Sequence, residues 1–349
     1  MDNKLSGSTR RQTLLSGAAA AAGLFSPAMP AIAQTADNVK LALEFRIYGG
    51  NAPTFYAIES GIFKNLNLNV TADGSSGSGE AITRVASGAY DFALADASAV
   101  VEFAGRNPDS APKILMPIFD VFPAVVLSLK RKPIKTLKDL VGAKLGTGTA
   151  DAGSKILPAL LALNKIDPKS VNRTTVDVKL RDTLLLKGDV DAVIAFDYTA
   201  IFNLMDNGLA LDDITLLYYS NFGFNFCGNS LIASPQLIRD KPDLVKRMTL
   251  GIARSWVGAA KNREAAIDAV MKRDKLLNPK IERARMDWVI DRLIRTENVR
   301  KNGLGAIELK RVEDSIAVLK DGLELPSAPT AQGLLDLSFM PPLSERQMG

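Results

Sequence analysis

From Val39 onward, short apolar runs alternate with amphipathic segments of helical length, the pattern of strands covered by helices in an α/β protein with a parallel sheet. The pattern predicts strands over Val39 to Phe45, Asn69 to Ala72, Phe92 to Ala95 and Ile114 to Phe119, with helices over Phe55 to Phe63, Glu80 to Ser87 and Ala97 to Gly105 between them. A second series opens after Pro123, with strands over Val125 to Leu129, Lys144 to Gly146, Val190 to Phe196 and Ile214 to Tyr218, and a helix over Ala152 to Leu163. Thr136-Leu-Lys-Asp139 has the spacing of a capping box, with Asp in place of Glu, and opens a short helix. Cys227 to Ala233 reads as a return strand. Beyond Ser234-Pro235 the chain turns helical: Leu244, Met248, Ile252 and Trp256 recur every four residues, and Met286, Val289 and Leu293, then Val312, Ile316 and Leu319, form similar stripes. Burial is the ordinary reason for that period, so these are read as core faces. The tail after Pro326 is expected to wrap the surface.

A chain that builds one βα lobe, leaves it for a second and returns to finish the first crosses between lobes twice, which makes a hinge. The expected division is a first lobe of 37–122 plus 233–349 and a second of 123–232, with hinge segments at Asp120 to Pro123 and Gly228 to Ala233.

Composition narrows the chemistry. The 349 residues contain no histidine and a single cysteine, Cys227. Without histidine there is no usual general base near neutral pH, no Ser-His-Asp or Cys-His pair and no common catalytic zinc ligand. One cysteine makes no internal disulfide, so stability must come from buried cores. The segment 1–33 reads as a cleaved export signal: Arg10-Arg11 precede an alanine-rich apolar stretch, and Ala31-Ile-Ala33 supplies a small-x-small cleavage site. The paired arginines point to the twin-arginine route, while Thr13, where a bulky apolar residue is favoured, keeps plain secretion open. Pro27 and Pro30 break the apolar stretch short of the ~20 residues a membrane span needs, so no stable membrane insertion is expected. Removing Asp2, Lys4, Arg10 and Arg11 lowers the formal charge from +5 to +3, too little and too evenly spread for a nucleic-acid partner. A periplasmic monomer that needs no cofactor is the expectation.

Ligands of open α/β sheets bind outside the carboxyl ends of the strands. The loops there nominate Tyr48 and Asn51, then Ser76, Gly77 and Ser78, then Asp96 and Ser98, and Asp120 from the first lobe. Thr147, Thr149, Asp197 and Tyr198 are nominated from the second, with Asn225 ahead of the return strand. Ser76 to Ser78 lie just before a helix, where free amides and hydroxyls suit an oxygen of the ligand; the alternative is a tight turn with a helix cap. Asp96, Asp120 and Asp197 each follow an apolar strand, which favours a ligand with nitrogen donors, although Asp96 and Asp197 also read as helix N-caps. An anionic ligand would need Arg46 or Arg181. Phosphate and dinucleotide loops are excluded: no Gly-Lys-Ser/Thr ending occurs, and Gly77-Ser-Gly79 lacks a third glycine.

Four segments carry a family resemblance. Tyr56-Ala-Ile-Glu-Ser-Gly-Ile-Phe63 resembles the A-x-x-x-G-x-F helix of the SsuA-like, nitrate/sulfonate/taurine-type periplasmic binding proteins, a family whose importers also carry thiamine-precursor pyrimidines. Gly77-Ser-Gly79 with Ala86 to Asp96 is similar to that family's Gly-Ser loop, helix and G-x-x-D strand. Lys135 to Gly146 resembles the opening of its second lobe, and Leu186-Lys-Gly-Asp-Val-Asp-Ala192 its l-x-x-G-x-v-D-A segment. The resemblance implies a type II periplasmic-binding-protein fold of two Rossmann-like lobes, a small-molecule ligand between them, no turnover and an ABC-transporter membrane permease as partner. A ligand-sensing module for a receptor would carry the same sequence features. The family's pyrimidine-making enzyme consumes its own histidine and uses a cysteine-rich iron motif, which this chain lacks.

Overall fold

A computed structural model describes residues 35–349, so the expected export signal lies outside the described residues. Ala36–Gly349 forms one compact unit built on two five-stranded sheets. The first is ordered β2-β1-β3-β10-β4, with β1 Asp37–Ala42, β2 Leu68–Asp73, β3 Phe92–Asp96, β4 Lys113–Pro117 and β10 Asn229–Ala233. The second is ordered β7-β6-β8-β5-β9, with β5 Ala124–Leu129, β6 Leu145–Thr147, β7 Arg173–Thr175, β8 Ala192–Phe196 and β9 Ile214–Tyr218. In each sheet one member runs against the rest. β10 is antiparallel to β3 and β4, and β5 is antiparallel to β8 and β9. These two are the strands by which the chain enters a sheet from the other lobe, so they arrive from the opposite end. The expectation of parallel sheets is corrected to mixed ones on that account.

The return to the first sheet begins at Asn229, four residues ahead of the expected border at 233, because the whole of β10 is hydrogen-bonded to β3. Helices α1 (Ala52–Glu59), α2 (Ser78–Ala86) and α3 (Ala97–Arg106) connect the first strands, and α4 (Ala152–Leu163), α5 (Arg181–Lys187) and α6 (Asp197–Asp206) the second set. The capping box forms: Asp139 accepts from the Thr136 amide at 2.9 Å and opens a 3-10 turn over Leu137–Leu140. The exposed β7 and the short α5 were not anticipated, since β7 is too polar to stand out and α5 is only two turns long.

The C-terminal helices are α7 (Pro235–Asp240), α8 (Pro242–Lys261), α9 (Arg263–Met271), α10 (Pro279–Trp288), α11 (Glu297–Asn302), α12 (Leu309–Gly322) and α13 (Ala331–Leu334). Their apolar stripes are buried as the period requires, and each such Leu, Ile, Val or Met contributes about 1.5–3 kcal/mol. α8 packs on α1, whereas α10 packs on α6, and α12 lies on both α3 and α4, so the tail binds elements of both sheets. After Pro326 the chain runs along β4, where Leu335 bridges Ile114 and covers that sheet edge.

Candidate functional site

Between the carboxyl ends of the two sheets lies a cavity with about 20 Å³ of free space at its centre, room for one water. Its first-lobe wall is Glu44 and Phe45 after β1 and Ser76 to Ser78 at the entry to α2; its second-lobe wall is Asp151 and Ala152 at the start of α4, Val178 and Arg181, Phe196 at the end of β8, and Tyr198 and Thr199 in the first turn of α6. The two walls touch. The Gly79 amide donates to the Ala150 carbonyl at 3.2 Å, and a Cβ on Gly77 would lie 2.5 Å from that same oxygen. Gly77 also has φ +153°, a conformation that side chains rarely tolerate, so glycine is required there twice over. At the rim, Lys155 meets Glu102 at 3.2 Å and Arg46 donates to Asn203 at 2.7 Å.

Of the nominated residues, Ser76, Gly77, Ser78 and Tyr198 line the cavity. Ser76 is exposed, and both its amide and its hydroxyl donate to Glu80 at 2.7 and 2.6 Å, which makes it part of a turn and cap. The Ser78 hydroxyl accepts from the Asp96 amide at 3.1 Å and keeps its own proton free for another partner. Tyr198 is fully buried; its ring lies 6.0 Å from Tyr48 and 5.9 Å from Phe196 in stacked geometry, and its hydroxyl accepts from Asn229 at 3.1 Å.

Immediately behind this wall stand Tyr48, Asn51, Asp96 and Ser98. Tyr48 donates its phenol to Glu44 at 2.8 Å, and Asn51 fastens the loop by accepting from the Tyr48 amide and donating to the Arg46 carbonyl. Asp96 caps α3: one oxygen accepts from the Ser98 amide at 2.9 Å and from the Ser98 hydroxyl, while Oδ2 is buried with no donor among the described residues. Burial pushes its pKa up to about 7.

The other nominations lie elsewhere. Asp197 is buried, accepting from the Tyr198 amide at 2.6 Å, Trp288 at 2.9 Å and Tyr218 at 3.1 Å, so its oxygens are engaged outside the cavity. Desolvation still raises it to about 6. Asp120 accepts from Arg311 at 2.8 Å, Asn298 at 3.2 Å and Thr296 at 2.5 Å, and Asn225 meets the same guanidinium at 3.3 Å. Both therefore belong to a clasp beside the crossing segments rather than to the cavity. Thr147 makes a long 3.5 Å contact to the Thr174 carbonyl and Thr149 is exposed; neither lines the cavity.

Two lining acids were not nominated, and the one lining base was named only for an anionic ligand. Glu44 escaped because the first strand was read through Phe45; β1 ends at Ala42, which puts Glu44 at a strand's carboxyl end like the aspartates that were chosen. A glutamate in an apolar run was itself a signal. Arg181, named above as a counter-charge for an anionic ligand, is 3% exposed and already paired with Asp182 at 2.9 Å. Asp151 caps α4 through the Ser154 amide at 2.8 Å, and desolvation raises its pKa. Among the described residues no cluster of three or more His, Cys, Asp or Glu could hold a metal, and no helix is long and apolar enough to cross a membrane.

Two α/β lobes, each entered by an antiparallel strand, with a cavity between their strand ends, define a periplasmic-binding-protein fold of type II. The chain belongs to the NMT1/THI5 like family, whose model matches residues 50–266. The motif resemblance to SsuA-like proteins accordingly holds at the level of family and fold. Similar solved structures include a protein from Bordetella bronchiseptica RB50, at 19% identity and TM-score 0.64 over 87% of this chain and 93% of that one. The alkanesulfonate-binding protein SsuA from Xanthomonas axonopodis pv. citri, bound to MOPS, shares 12% identity at TM-score 0.66 over 86% of this chain and 99% of its own. The periplasmic aliphatic sulphonate binding protein SsuA from Escherichia coli is similar at 12% identity and TM-score 0.66, over 86% and 92%. A search of curated proteins gave no match.

Proposed function

We propose that the protein is the periplasmic solute-binding component of an ABC importer, holding a small organic molecule between its lobes and presenting it to a membrane permease. The observation that carries this reading is the cavity closed by both lobes at their strand ends, where binding in such sheets occurs. With room for one water at its centre, the cavity admits a solute only when the walls part at the Gly79–Ala150 contact. The lobes, 36–122 with 229–349 and 123–228, then move about the Asp120 to Pro123 and Phe226 to Gly228 crossings. Similarity to SsuA, one example of which holds MOPS, supports solute capture as the task. The aromatic wall and the carboxyl-rich lining favour a nitrogen-bearing organic or heterocyclic solute, with Ser78 and Tyr198 among its direct partners and Tyr48 and Asp96 in support.

A thermal-shift screen against amines, amidines, pyrimidines, taurine, alkanesulfonates, nitrate and aromatic acids tests the reading. A solute that binds only the folded state raises the melting point in proportion to the logarithm of its concentration over its Kd. Small-angle scattering with a hit should show compaction. Failure of every compound at millimolar concentration, or release of a chemically altered product, would refute solute capture.

A further inference from the structure

We propose that Glu44 reads the charge of the captured solute, and that this solute is an organic cation whose protonated nitrogen meets the Glu44 carboxylate against the wall of Phe45, Phe196 and Tyr198. The proposal rests on the interlobe cavity being the solute site.

Glu44 is 3% exposed and lines the cavity. Its Oε1 accepts from Tyr48 at 2.8 Å, whereas Oε2 is buried without a donor among the described residues. A buried carboxylate oxygen with an unfilled lone pair is costly, and a donor brought by the solute removes that cost. The same want of donors extends behind the wall. Asn229 Oδ1 and Asp96 Oδ2 are likewise buried with no donor among the described residues, and they adjoin the cavity through Tyr198 and Ser78. Three acceptors without donors thus lie at or behind the wall, and one of them, Asn229 Oδ1, belongs to an uncharged side chain.

The charge balance agrees. Glu44 and Asp151 are the lining acids and Arg181 the lining base, and Arg181 is already paired with Asp182 at 2.9 Å. An anion would therefore meet two carboxyl groups and a guanidinium already neutralised. A cation meets the reverse: an unpaired carboxylate oxygen and aromatic faces, which attract positive charge. Burial holds Glu44 up at about 7, and a positive charge seated beside it would draw that value down again.

The test uses the full chain and compounds matched in skeleton but not in charge: benzamidine, benzamide and benzoate, together with choline, taurine and a library of small metabolites, scored by thermal shift and titration calorimetry. The expected result is that hits are cations, and that Glu44→Gln weakens them about 30-fold or more, the scale for losing one partner of a buried charge pair. Glu44→Asp, which keeps the charge, should retain the preference for cations. If Glu44→Gln does not fold, the charge of the wild-type hits and of the Glu44→Asp hits decides. Hits confined to anions or neutral compounds, or cations bound equally by Glu44→Gln, overturn the assignment while solute capture stands. No hit in any class overturns solute capture and this inference with it.

Discussion

Replacing Arg285 by Met tests whether a buried ion pair on α10 holds the solute wall in place. Arg285 is 2% exposed and makes five hydrogen bonds: to Glu282 at 2.9 and 3.2 Å, to the carbonyls of Tyr198 and Thr199 at 2.7 and 3.0 Å, and to Asn203 at 3.1 Å. Its guanidinium also lies 5.2 Å from the Tyr48 ring. Methionine fills much of the same volume but leaves Glu282, 4% exposed, with the Gly49 amide as its remaining partner at 2.5 Å. Breaking a buried pair from one side costs about 3–5 kcal/mol, because a charge stays behind in a poor solvent. The double variant Arg285→Met with Glu282→Leu removes that charge. Tyr198 and Thr199 keep intrahelical partners for their carbonyls, so the chief loss is the unsatisfied Gly49 amide, about 1–3 kcal/mol. Urea unfolding followed by circular dichroism should therefore rank the double variant as no less stable than the single one. A single variant within 1 kcal/mol of wild type, or a double variant equal to the sum of its parts, would refute the argument, since independent residues add and coupled ones do not.

Gly77→Ala should hold the lobes apart, because the new Cβ meets the Ala150 oxygen across the cavity, at a local backbone strain of about 1–3 kcal/mol. Scattering should give a larger radius of gyration than wild type, and superimposable profiles would contradict the contact. Asp197→Ala should destabilise the fold by about 1–3 kcal/mol in urea by leaving the Trp288 indole and Tyr218 phenol without their acceptor, and should leave solute selectivity intact. Glu44 and Asp96, both raised by burial to about 7, keep protons between pH 4 and 7 that the unfolded chain has released. Stability must then fall as pH rises through that window and level off above it, by up to about 1.4 kcal/mol per pH unit for each group. Glu44→Gln should flatten the slope measured by urea unfolding at stepped pH, and a slope identical to wild type would contradict the burial of its charge.

The two lobes, the double crossing and the buried helix stripes were legible because each depends on periodicity, which burial imposes along the sequence. Strand-end loops were legible as a region. What could not be read was the direction of each side chain within it. Asp96, Asp120 and Asp197 all follow apolar strands, yet the first caps α3, the second accepts from Arg311, 191 residues on, and the third from Trp288, 91 residues on. The partners of the last two come from C-terminal helices whose positions no local pattern fixes. Glu44 shows the converse: an error of three residues in the end of β1 was enough to hide a lining carboxylate.

The same C-terminal helices bear on where the lobes part. Contacts across the cavity rim are the half-buried Lys155–Glu102 pair, the Arg46–Asn203 hydrogen bond and one amide on Ala150, and ion pairs that reach solvent are worth about 0–1 kcal/mol. Contacts between the lobes on the side of α10 and α12 are more deeply set: Glu282 and Arg285 join the Gly49 loop of the first lobe to α6 of the second, and Arg311, which holds Asp120, also donates to the Phe226 carbonyl at 2.7 Å. Breaking those costs several times more. A motion that opens the cavity with the least loss therefore separates Gly79 from Ala150 and turns about α10 and the Asp120 clasp. That makes the aspartate first nominated as a ligand group an anchor of the axis, and it places Glu44, beside the Tyr48 loop that α10 holds, on the wall against which the second lobe would close.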